Sequence, residues 1–348
     1  MKLALTLLAK NEADVIDANI AYHLGAGIDF VVATDNASTD GTLEILERYQ
    51  GLGVLHLIRE PSGDFQQGAW VTRMARLAAE RGADWVINAD ADEFWWPRAG
   101  NLKEALERLP ERYGVVHGVW RPFVPRPDDG SHFAERMTVR LSMQAAINDP
   151  TNPFRPARKA THRAHPNVRV RDGNHDVEGA PLVTLHGWYP LEVFHVPLRS
   201  RAQVERKYAG GAHRGLRFVP DEDRLAAAAD PLVVDDAELR RGLADGLLME
   251  DTRLRDALRA LAGVDRLPGD GESAPQFGRD VLSFPRPSVV DDALFAVEAA
   301  VVAQADDVRL RRQVDDLERR LQAIESGPAA RIQGRLQRLL ARGPRRST

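Results

Sequence analysis

A strand followed by a helix is predicted from residues 29–50, "DFVVATDNASTDGTLEILERYQ". An apolar run of strand length, 29–35, ends in Asp35 and Asn36, and an amphipathic pattern begins at residue 42. The Ser-Thr-Asp-Gly run between them is typical of a helix start, because short polar side chains cap the first backbone N–H groups. The stretch therefore predicts a strand and a helix that are joined by a polar turn.

The same alternation extends through the first ninety residues. Strands are predicted at 3–9, 29–35, 54–60 and 84–90, with helices at 12–27, 42–50 and 67–82. This order predicts an α/β fold with a Rossmann-like, mostly parallel sheet flanked by helices. Since ligands bind at the carboxyl ends of such strands, we expect the polar residues at 10–12, 35–36 and 90–92 to converge on one crevice.

Changes in composition along the sequence divide the whole chain into regions. A first domain is predicted over 1–211, with halves at about 1–97 and 98–211. A helical accessory region with a Pro- and Gly-rich loop follows at 212–304, and its clearest helix is predicted over 236–261.

The last segment, 305–348, combines a short coiled-coil pattern with a basic tail. Apolar residues alternate four and three positions apart, which predicts a coiled coil and therefore a homo-oligomer: Leu310, Val314, Leu317, Leu321 and Ile324. The tail has the pattern of a basic amphipathic helix, which can lie on the inner face of an anionic membrane. A solvated tail is the alternative.

Composition excludes several classes of protein. The 348 residues contain no cysteine, which excludes disulfides, thiolate metal sites and cysteine nucleophiles. A net charge of −4 argues against nucleic acid as a partner. No apolar run approaches the ~18 residues of a membrane span, and the N-terminal run ends in Lys-Asn-Glu without a cleavage pattern. We therefore predict a cytoplasmic protein.

Three carboxylates crowd the stretch "INADADEFWWP", residues 87–97. Residues two apart on an extended chain point the same way, so Asp90 and Asp92 are predicted to face the crevice and Glu93 to face away. Convergent carboxylates suit Mg²⁺ or Mn²⁺ shared with a substrate phosphate. Solvated acids before a helix are the alternative, and the aromatic residues 94–96 either wall a pocket or anchor the strand.

Other polar residues near strand ends are candidates for ligand binding. Asp35 and Asn36 have groups that can hydrogen-bond a base or a ribose, and Asn11 is expected both to cap the first helix and to line the crevice. Eight basic residues follow in the second half of the domain, and most are interpreted as solvated while one or two hold a phosphate: Arg155, Arg158, Lys159, Arg163, Arg169, Arg171, Arg199 and Arg201.

Two histidines complete the set of candidates. His195 lies in an apolar run, which fits either a buried histidine or a ligand that closes the metal site. His175 is followed by Asp176 and Glu178, which offer a general base.

Together these motifs resemble the nucleotide-sugar-dependent glycosyltransferases of the GT-A fold, specifically family 2. The stretch from residue 7 to residue 42 looks like the nucleotide-binding half of that family, and "WVINADADEFW" looks like its D-x-D strand. "FHVPLRSRAQVERK", residues 194–207, is similar to a histidine-containing segment of a bacterial subgroup. The resemblance covers roughly residues 1–210.

The resemblance implies a role for each matching residue. Nucleotide-sugar contacts are implied for Asn11, Glu12, Asp35, Asn36 and Asp90, with Arg73 as a further candidate, and metal binding for Asp90, Asp92 and His195. An inverting enzyme also needs a base for the acceptor hydroxyl. The chain departs from the family pattern there, and His175, Asp176 and Glu178 are the substitute candidates.

The resulting hypothesis is a glycosyltransferase that uses Mn²⁺ or Mg²⁺ to move a sugar from a nucleoside-diphosphate donor to a glycan, lipid or small molecule. A metal phosphohydrolase is one alternative, although its usual two-metal cage would need more ligands than are evident. A non-catalytic nucleotide-sugar-binding assembly protein is the other.

Overall fold

The computed structural model describes residues 1–61, 66–98, 100–143, 157–200, 202–203, 234–273, 275–278 and 281–326. The chain divides into two units, Met1–Val302 and Ala303–Thr348. The described part of the second unit is helical throughout. The predicted domain boundary at residue 211 lies outside the described residues, and the boundary at 304 stays a prediction.

The first ninety residues alternate strands and helices as predicted. The elements are β1 (Leu3–Ala9), α1 (Ile16–Gly25), β2 (Phe30–Asp35), α2 (Thr42–Gly51), β3 (Leu55–Arg59), α3 (Gln67–Glu80) and β4 (Trp85–Asp90). The four strands are parallel in the order β3-β2-β1-β4. Their carboxyl ends therefore meet at one edge of the sheet.

The next hundred residues complete the sheet. They form β5 (Glu93–Pro97), α4 (Leu102–Glu107), β6 (Tyr113–Pro122), α5 (Phe133–Arg136), β7 (Val139–Leu141), β8 (Arg158–Arg163), β9 (Arg169–Val170), a 3₁₀ turn (Asp172–Asn174), β10 (Val177–Glu178), β11 (Val183–Thr184) and β12 (Leu191–His195). The main sheet has the order β3-β2-β1-β4-β8-β6-β12-β5, and β11 also pairs with β6.

Strand directions place one more part of the chain at the same edge. Strand β8 is antiparallel to both β4 and β6, and β12 is parallel to β6. The carboxyl ends of β6 and β12 therefore lie at the edge where β1, β2 and β4 end. Strands β9 and β10 form a separate two-stranded ribbon.

The sheet core is covered on both faces, which explains the apolar runs in its strands. All seven residues of β1 are buried. Leu3, Leu5 and Leu7 pack in the cluster that contains residues of α1, whereas Ala4 and Leu8 pack in the cluster that contains residues of α3. The predicted α/β class with a mostly parallel sheet flanked by helices is therefore confirmed.

The C-terminal elements differ from the prediction in one place. They are α6 (Asp236–Ala244), β13 (Leu248–Glu250), α7 (Arg253–Ala262) and α8 (Val289–Ser326). The single helix predicted over 236–261 is wrong, because Gly246 adopts a left-handed φ of 69° after α6 ends. The chain then pairs β13 with β7, and Leu248 packs against Val139 and Leu141.

Helix α8 carries the predicted coiled-coil pattern. Val314 and Leu317 are exposed, at 51% and 63%. The side chains of Leu310, Leu321 and Ile324 and the whole basic tail after residue 326 lie outside the described residues. The coiled coil, the homo-oligomer and the membrane contact stay predictions. No helix in the described residues is long and apolar enough to cross a bilayer.

A buried ion network joins the sheet to the C-terminal helices. Glu192 on β12 is fully buried and pairs with Arg121 at 2.7 Å, Arg253 at 2.8 Å and Arg98 at 3.1 Å. Burial by itself would raise the pKa of Glu192, but Arg121 and Arg253 outweigh it and hold the pKa well below the ordinary value of 4.5. The network therefore requires an ionised Glu192.

This depressed pKa predicts how folding stability depends on pH. A carboxyl whose pKa is lower in the folded state stabilises the fold above its ordinary pKa, and the stabilisation is lost as pH falls. We expect Glu192→Gln to reduce the slope of unfolding free energy against pH below pH ~4.5 by up to ~1.4 kcal/mol per pH unit. Denaturant titrations at several acidic pH values measure this slope. Glu47→Gln, which alters an exposed ion pair with Arg59, is the control, and equal slopes in wild type and Glu192→Gln would contradict the prediction.

Candidate active site

Three residues at the carboxyl edge of the sheet have unusual backbone conformations. Asn11, Ala37 and Asn174 have φ values of 55°, 52° and 58°, and they are the non-glycine residues with positive φ in the described part of the chain. Asn11 follows β1, Ala37 follows β2, and Asn174 contacts Asp90 at the end of β4. A non-glycine residue in this left-handed conformation destabilises the fold by roughly 1–3 kcal/mol, so the surrounding contacts must hold each of the three in place.

Asn11 connects the loop after β1 to the loop after β2 through hydrogen bonds. Its Oδ1 accepts a hydrogen bond from the Thr39 N–H at 2.8 Å, and its own N–H donates to Ser38 Oγ at 3.0 Å. Asn11 therefore does not cap α1, whose N-cap is Val15. The expected cap was wrong because the left-handed backbone of Asn11 turns its side chain toward the neighbouring loop. Glu12 is buried beside it.

The D-x-D stretch does not run straight. Asp90 ends β4, Ala91 and Asp92 form a turn, and Glu93 begins β5. The turn breaks the alternation of an extended chain, so the prediction that Glu93 faces away from Asp90 is wrong. Both carboxylates contact the ammonium of Lys159.

Four side chains surround Asp90 and, with it, form what we term the Asp90 cluster: Gln67, Asp90, Glu93, Lys159 and Asn174. Gln67 Nε2 and Asn174 Nδ2 donate to Asp90 Oδ1 at 2.8 and 3.2 Å. Lys159 Nζ lies 3.3 Å from Asp90 Oδ2 and 2.6 Å from Glu93 Oε1. The sequence does not predict these contacts of Gln67 and Asn174, because polar amide side chains are common at exposed positions as well.

Burial controls the protonation of this cluster. Burial raises the pKa of Glu93; Lys159 opposes that rise and Asp90 adds to it. For Lys159, burial alone would lower the pKa, but Glu93 and Asp90 outweigh it and the pKa is raised. Lys159 is therefore a permanent cation between two acids.

A second group, the Arg199 cluster, consists of Glu12, Asp14, Asp92 and Arg199. Arg199 is 1% exposed. Its guanidinium hydrogen-bonds Glu12 and contacts Asp14 at 2.8 and 3.0 Å, and its Nη1 lies 3.9 Å from Asp92 Oδ2. These acids outweigh burial and raise the pKa of Arg199. The interpretation of most basic residues as solvated is wrong for Arg199, as it is for the buried Arg158 and Lys159.

His195 lies between the two clusters. Its Nε2 is 3.6 Å from Asp92 Oδ1, and its ring stacks on Trp120 with centroids 4.5 Å apart. Trp120 Nε1 in turn donates to Glu93 Oε1 at 3.3 Å. His195 Nδ1 is buried and has no hydrogen-bond partner in the described residues. The His195 side chain is 13% exposed, and the choice between a structural histidine and a metal ligand stays a prediction.

Asp92 and His195 fit a divalent cation, whereas three side chains already contact the carboxylate of Asp90. Ligand atoms at ~2.1 Å from an octahedral ion lie ~3 Å apart, so the 3.6 Å between Asp92 Oδ1 and His195 Nε2 requires only a small adjustment. Mn²⁺ or Mg²⁺ in such sites takes its remaining ligands from phosphate and water. No group of three or more histidine or acidic side chains in the described residues is arranged to hold a metal. Of the residues predicted to bind the metal, Asp92 and His195 lie 3.6 Å apart, and the metal site itself stays a prediction.

Two nucleoside-binding candidates, Asp35 and Asn36, lie at the carboxyl end of β2. Asp35 is 3% exposed, and its Oδ2 accepts from the Ser38 N–H at 3.2 Å. Its Oδ1 is buried without a hydrogen-bond partner in the described residues, so it fits a ligand N–H or O–H. Asn36 donates to the Glu60 carbonyl at 3.4 Å, and Arg73 pairs with the Glu60 carboxylate at 3.1 Å.

The three candidates for a general base lie in two different places. His175 Nδ1 lies 2.7 Å from the Arg158 carbonyl, and Asp176 is 3.9 Å from the Arg158 guanidinium. Glu178 pairs instead with Arg169 at 2.8 Å and Arg171 at 3.3 Å on the ribbon. Its ion pairs join it to neither cluster.

The aromatic residues after the D-x-D stretch belong to the core. Phe94 and Trp95 are fully buried and Trp96 is 6% exposed. Trp96 stacks on Phe194 with centroids 5.2 Å apart. Of the two interpretations left open by the sequence, anchoring of the strand is confirmed.

A cavity of about 370 Å³ adjoins the Arg199 cluster. Asp14 and Arg199 form part of its wall, together with Phe133, Phe277 and Arg136. Its lining combines aromatic faces with charged groups, as ligand pockets commonly do.

The predicted family resemblance is confirmed by comparison with known proteins. Residues 7–170, slightly less than half of the chain, match the family model described as "Glycosyl transferase family 2". With the sheet described above, this supports the predicted GT-A type of fold. No curated protein matches the chain.

Solved structures give weaker similarities. The chain is 19% identical to Staphylococcus aureus TarS 1–349 in complex with UDP-GlcNAc, over 47% of this chain and 46% of that chain, with a TM-score of 0.30. It is 17% identical to glucosyl-3-phosphoglycerate synthase from Mycobacterium tuberculosis in complex with phosphoglyceric acid, over 38% of this chain and 46% of that chain, with a TM-score of 0.24. The chain thus spans about half the length of these proteins, and the likeness assigns it no substrate.

Proposed function

We propose that the protein is a glycosyltransferase that moves a sugar from a nucleoside diphosphate to an acceptor hydroxyl with the help of Mn²⁺ or Mg²⁺. The observation that carries the proposal is the Asp92–His195 pair at the carboxyl edge of the sheet, 3.6 Å apart. Around it, five carboxylates (Glu12, Asp14, Asp90, Asp92 and Glu93) face two permanent cations, Lys159 and Arg199. This excess of negative charge favours a cation and disfavours a bare diphosphate.

Each residue has a defined task in this proposal. Asp92 and His195 hold the cation, and Arg199 positions Asp92. Asp35 Oδ1 accepts a hydrogen bond from the base, and Asp90 accepts one from a ribose hydroxyl. When bound, the cation neutralises the negative charge that develops on the leaving diphosphate.

The transfer breaks the bond between the anomeric carbon and the diphosphate oxygen and forms a bond from that carbon to the acceptor oxygen. The acceptor proton passes to a base, for which His175, Asp176 and Glu178 stay the candidates. The nucleoside diphosphate leaves with the bonding electron pair. The cavity beside Arg199 is our candidate for the acceptor, because its aromatic and charged lining fits the faces and hydroxyls of a sugar.

A thermal-shift screen of purified full-length protein tests this function. We expect one or more of UDP, GDP, CDP, ADP and dTDP to raise the melting temperature in the presence of Mn²⁺ and to do so far less with EDTA, because binding to the native state alone stabilises it. Asp92→Ala is expected to abolish the Mn²⁺-dependent part of the shift.

The same preparation separates the alternatives. The absence of a response to every nucleotide, in a protein that melts cooperatively, would contradict the proposed function. Phosphate release from simple phosphate esters would instead favour a phosphohydrolase. Nucleotide binding without release of nucleoside diphosphate from any donor, with or without candidate acceptors, would favour a binding protein.

A further inference from the structure

Lys159 is a buried ammonium at the edge of the crevice. The residue is 3% exposed, with its Nζ 2.6 Å from Glu93 Oε1 and 3.3 Å from Asp90 Oδ2. A group this enclosed has no surface for a diphosphate. Its charge must therefore act through the side chains that it touches.

Glu93 fixes the position of Lys159. It is fully buried, and its Oε1 also accepts from Trp120 Nε1 at 3.3 Å while its Oε2 accepts from the Asp90 N–H at 3.2 Å. Both oxygens are thus engaged inside the protein. Glu93 has no face for a ligand, and its role is to hold Lys159 against Asp90.

Asp90 is the carboxylate of this group that solvent reaches, at 27% side-chain exposure. Gln67 and Asn174 donate to its Oδ1 and Lys159 to its Oδ2. A carboxylate offers about four lone-pair sites, so roughly one remains for a ligand. A divalent cation at that site would stand next to the Lys159 ammonium and be repelled by it, whereas a neutral hydroxyl donor would not.

We propose that Lys159, held by Glu93, is a positioning residue that makes Asp90 an acceptor for a neutral hydroxyl and keeps a divalent cation off its carboxylate. The ligand class is a sugar hydroxyl, and its assignment to the ribose of a nucleoside diphosphate rests on the proposed function. The two aspartates of the D-x-D stretch therefore bind different groups: Asp90 accepts a hydrogen bond from a hydroxyl, and Asp92 binds the cation.

The first test uses Mn²⁺ alone, whose binding to the full-length protein is measured by electron paramagnetic resonance. Lys159→Met leaves Asp90 and Glu93 without their cation, so we expect Mn²⁺ to bind at least about tenfold more tightly or at one additional site. Lys159→Arg keeps the charge and is expected to bind Mn²⁺ as wild type does. Equal Mn²⁺ binding in wild type and in folded Lys159→Met would overturn the proposal.

A second pair of variants guards against misfolding, because a buried glutamate without a partner is strongly destabilising. Glu93→Gln combined with Lys159→Met removes both buried charges, and Glu93→Gln alone is its matched control. We expect the double variant to bind Mn²⁺ at least about threefold more tightly than the single variant, since only the double variant lacks the ammonium beside Asp90. Equal affinities would overturn the proposal.

The hydroxyl preference is tested with UDP and GDP and with their 2′-deoxy and 3′-deoxy analogues. In wild type we expect one deoxy analogue to bind about tenfold more weakly than its parent nucleotide, because it loses one hydrogen bond to a charged group. We expect Lys159→Met to reduce this ratio of the two affinities. Nucleotide binding that is indifferent to both hydroxyls would overturn the hydroxyl assignment. If no nucleotide binds, the proposed function fails, while the Mn²⁺ measurements still decide the role of Lys159.

Discussion

Replacing Asp92 with asparagine is expected to lower the rate of sugar transfer by a factor of about 10²–10³. The change keeps the size of the side chain but removes the charged ligand that pairs with His195 at 3.6 Å. A cation held less well stabilises less of the charge on the leaving diphosphate, and loss of one such electrostatic contact typically has this magnitude. The rate is measured as release of nucleoside diphosphate from the donor identified by the thermal-shift screen, with water as acceptor if no other is known.

One acidic residue provides a control for this variant, and a second tests the choice of general base. Asp84, which precedes β4 at the opposite edge of the sheet and accepts from the Lys2 N–H at 2.6 Å, is expected to tolerate asparagine without loss of rate. Glu178, which forms ion pairs with Arg169 and Arg171, is one of the three candidates for the general base. A loss of about 10²–10⁴ in Glu178→Gln would identify it as that base, and a rate within about twofold of wild type would leave His175 and Asp176. Wild-type rates in Asp92→Asn would exclude Asp92 from the chemistry.

The second large effect concerns stability. Arg199→Met is expected to lower the free energy of unfolding by about 3–5 kcal/mol, because it leaves Glu12 and Asp92 buried without their cation. Methionine has a similar length and fills the volume, so the loss reports the charge rather than a cavity. Denaturant titration at pH 7 measures the midpoint and the slope of the transition.

Arg48→Met is the matched control for Arg199. Arg48 also pairs with an aspartate, Asp17 at 2.5 Å, but its side chain is 54% exposed. Exposed pairs of this kind contribute less than about 1 kcal/mol, so its midpoint is expected to change little. Equal losses in the two variants would show that burial of the Arg199 cluster does not determine its contribution.

The sequence predicts the first half of the fold because local patterns determine it. The strand and helix within residues 29–50 form as expected at Phe30–Asp35 and Thr42–Gly51, where apolar periodicity and turn residues agree. The helix expected over 236–261 is wrong because pairing of Leu248–Glu250 with β7 is a contact between distant residues. Helical periodicity contains no information about such a partner.

In the candidate site too, the sequence predicts the features that depend on local patterns and misses those that depend on distant contacts. Strand-end position predicts that Asp35, Asp90 and Asp92 lie at one edge, since parallel strands bring their ends together. The burial of Lys159 and Arg199 and the role of Glu93 could not be predicted. They depend on a turn at Ala91–Asp92 and on contacts across as many as 187 positions of sequence. A charged residue looks the same in sequence whether its partner is water or a distant carboxylate.

The position of β12 has a consequence for how the chain acquires its shape. This strand, Leu191–His195, inserts between β6 and β5, and it is the strand that joins β5 to the main sheet. A nascent chain that ends at residue 170, the limit of the family match, lacks β12, His195 and Arg199. Its Glu93–Pro97 segment would present an unpaired edge until a strand nearly a hundred residues downstream arrives. Contacts of such long sequence separation form slowly, and the sheet cannot close around β12 before the residues up to His195 have been synthesised.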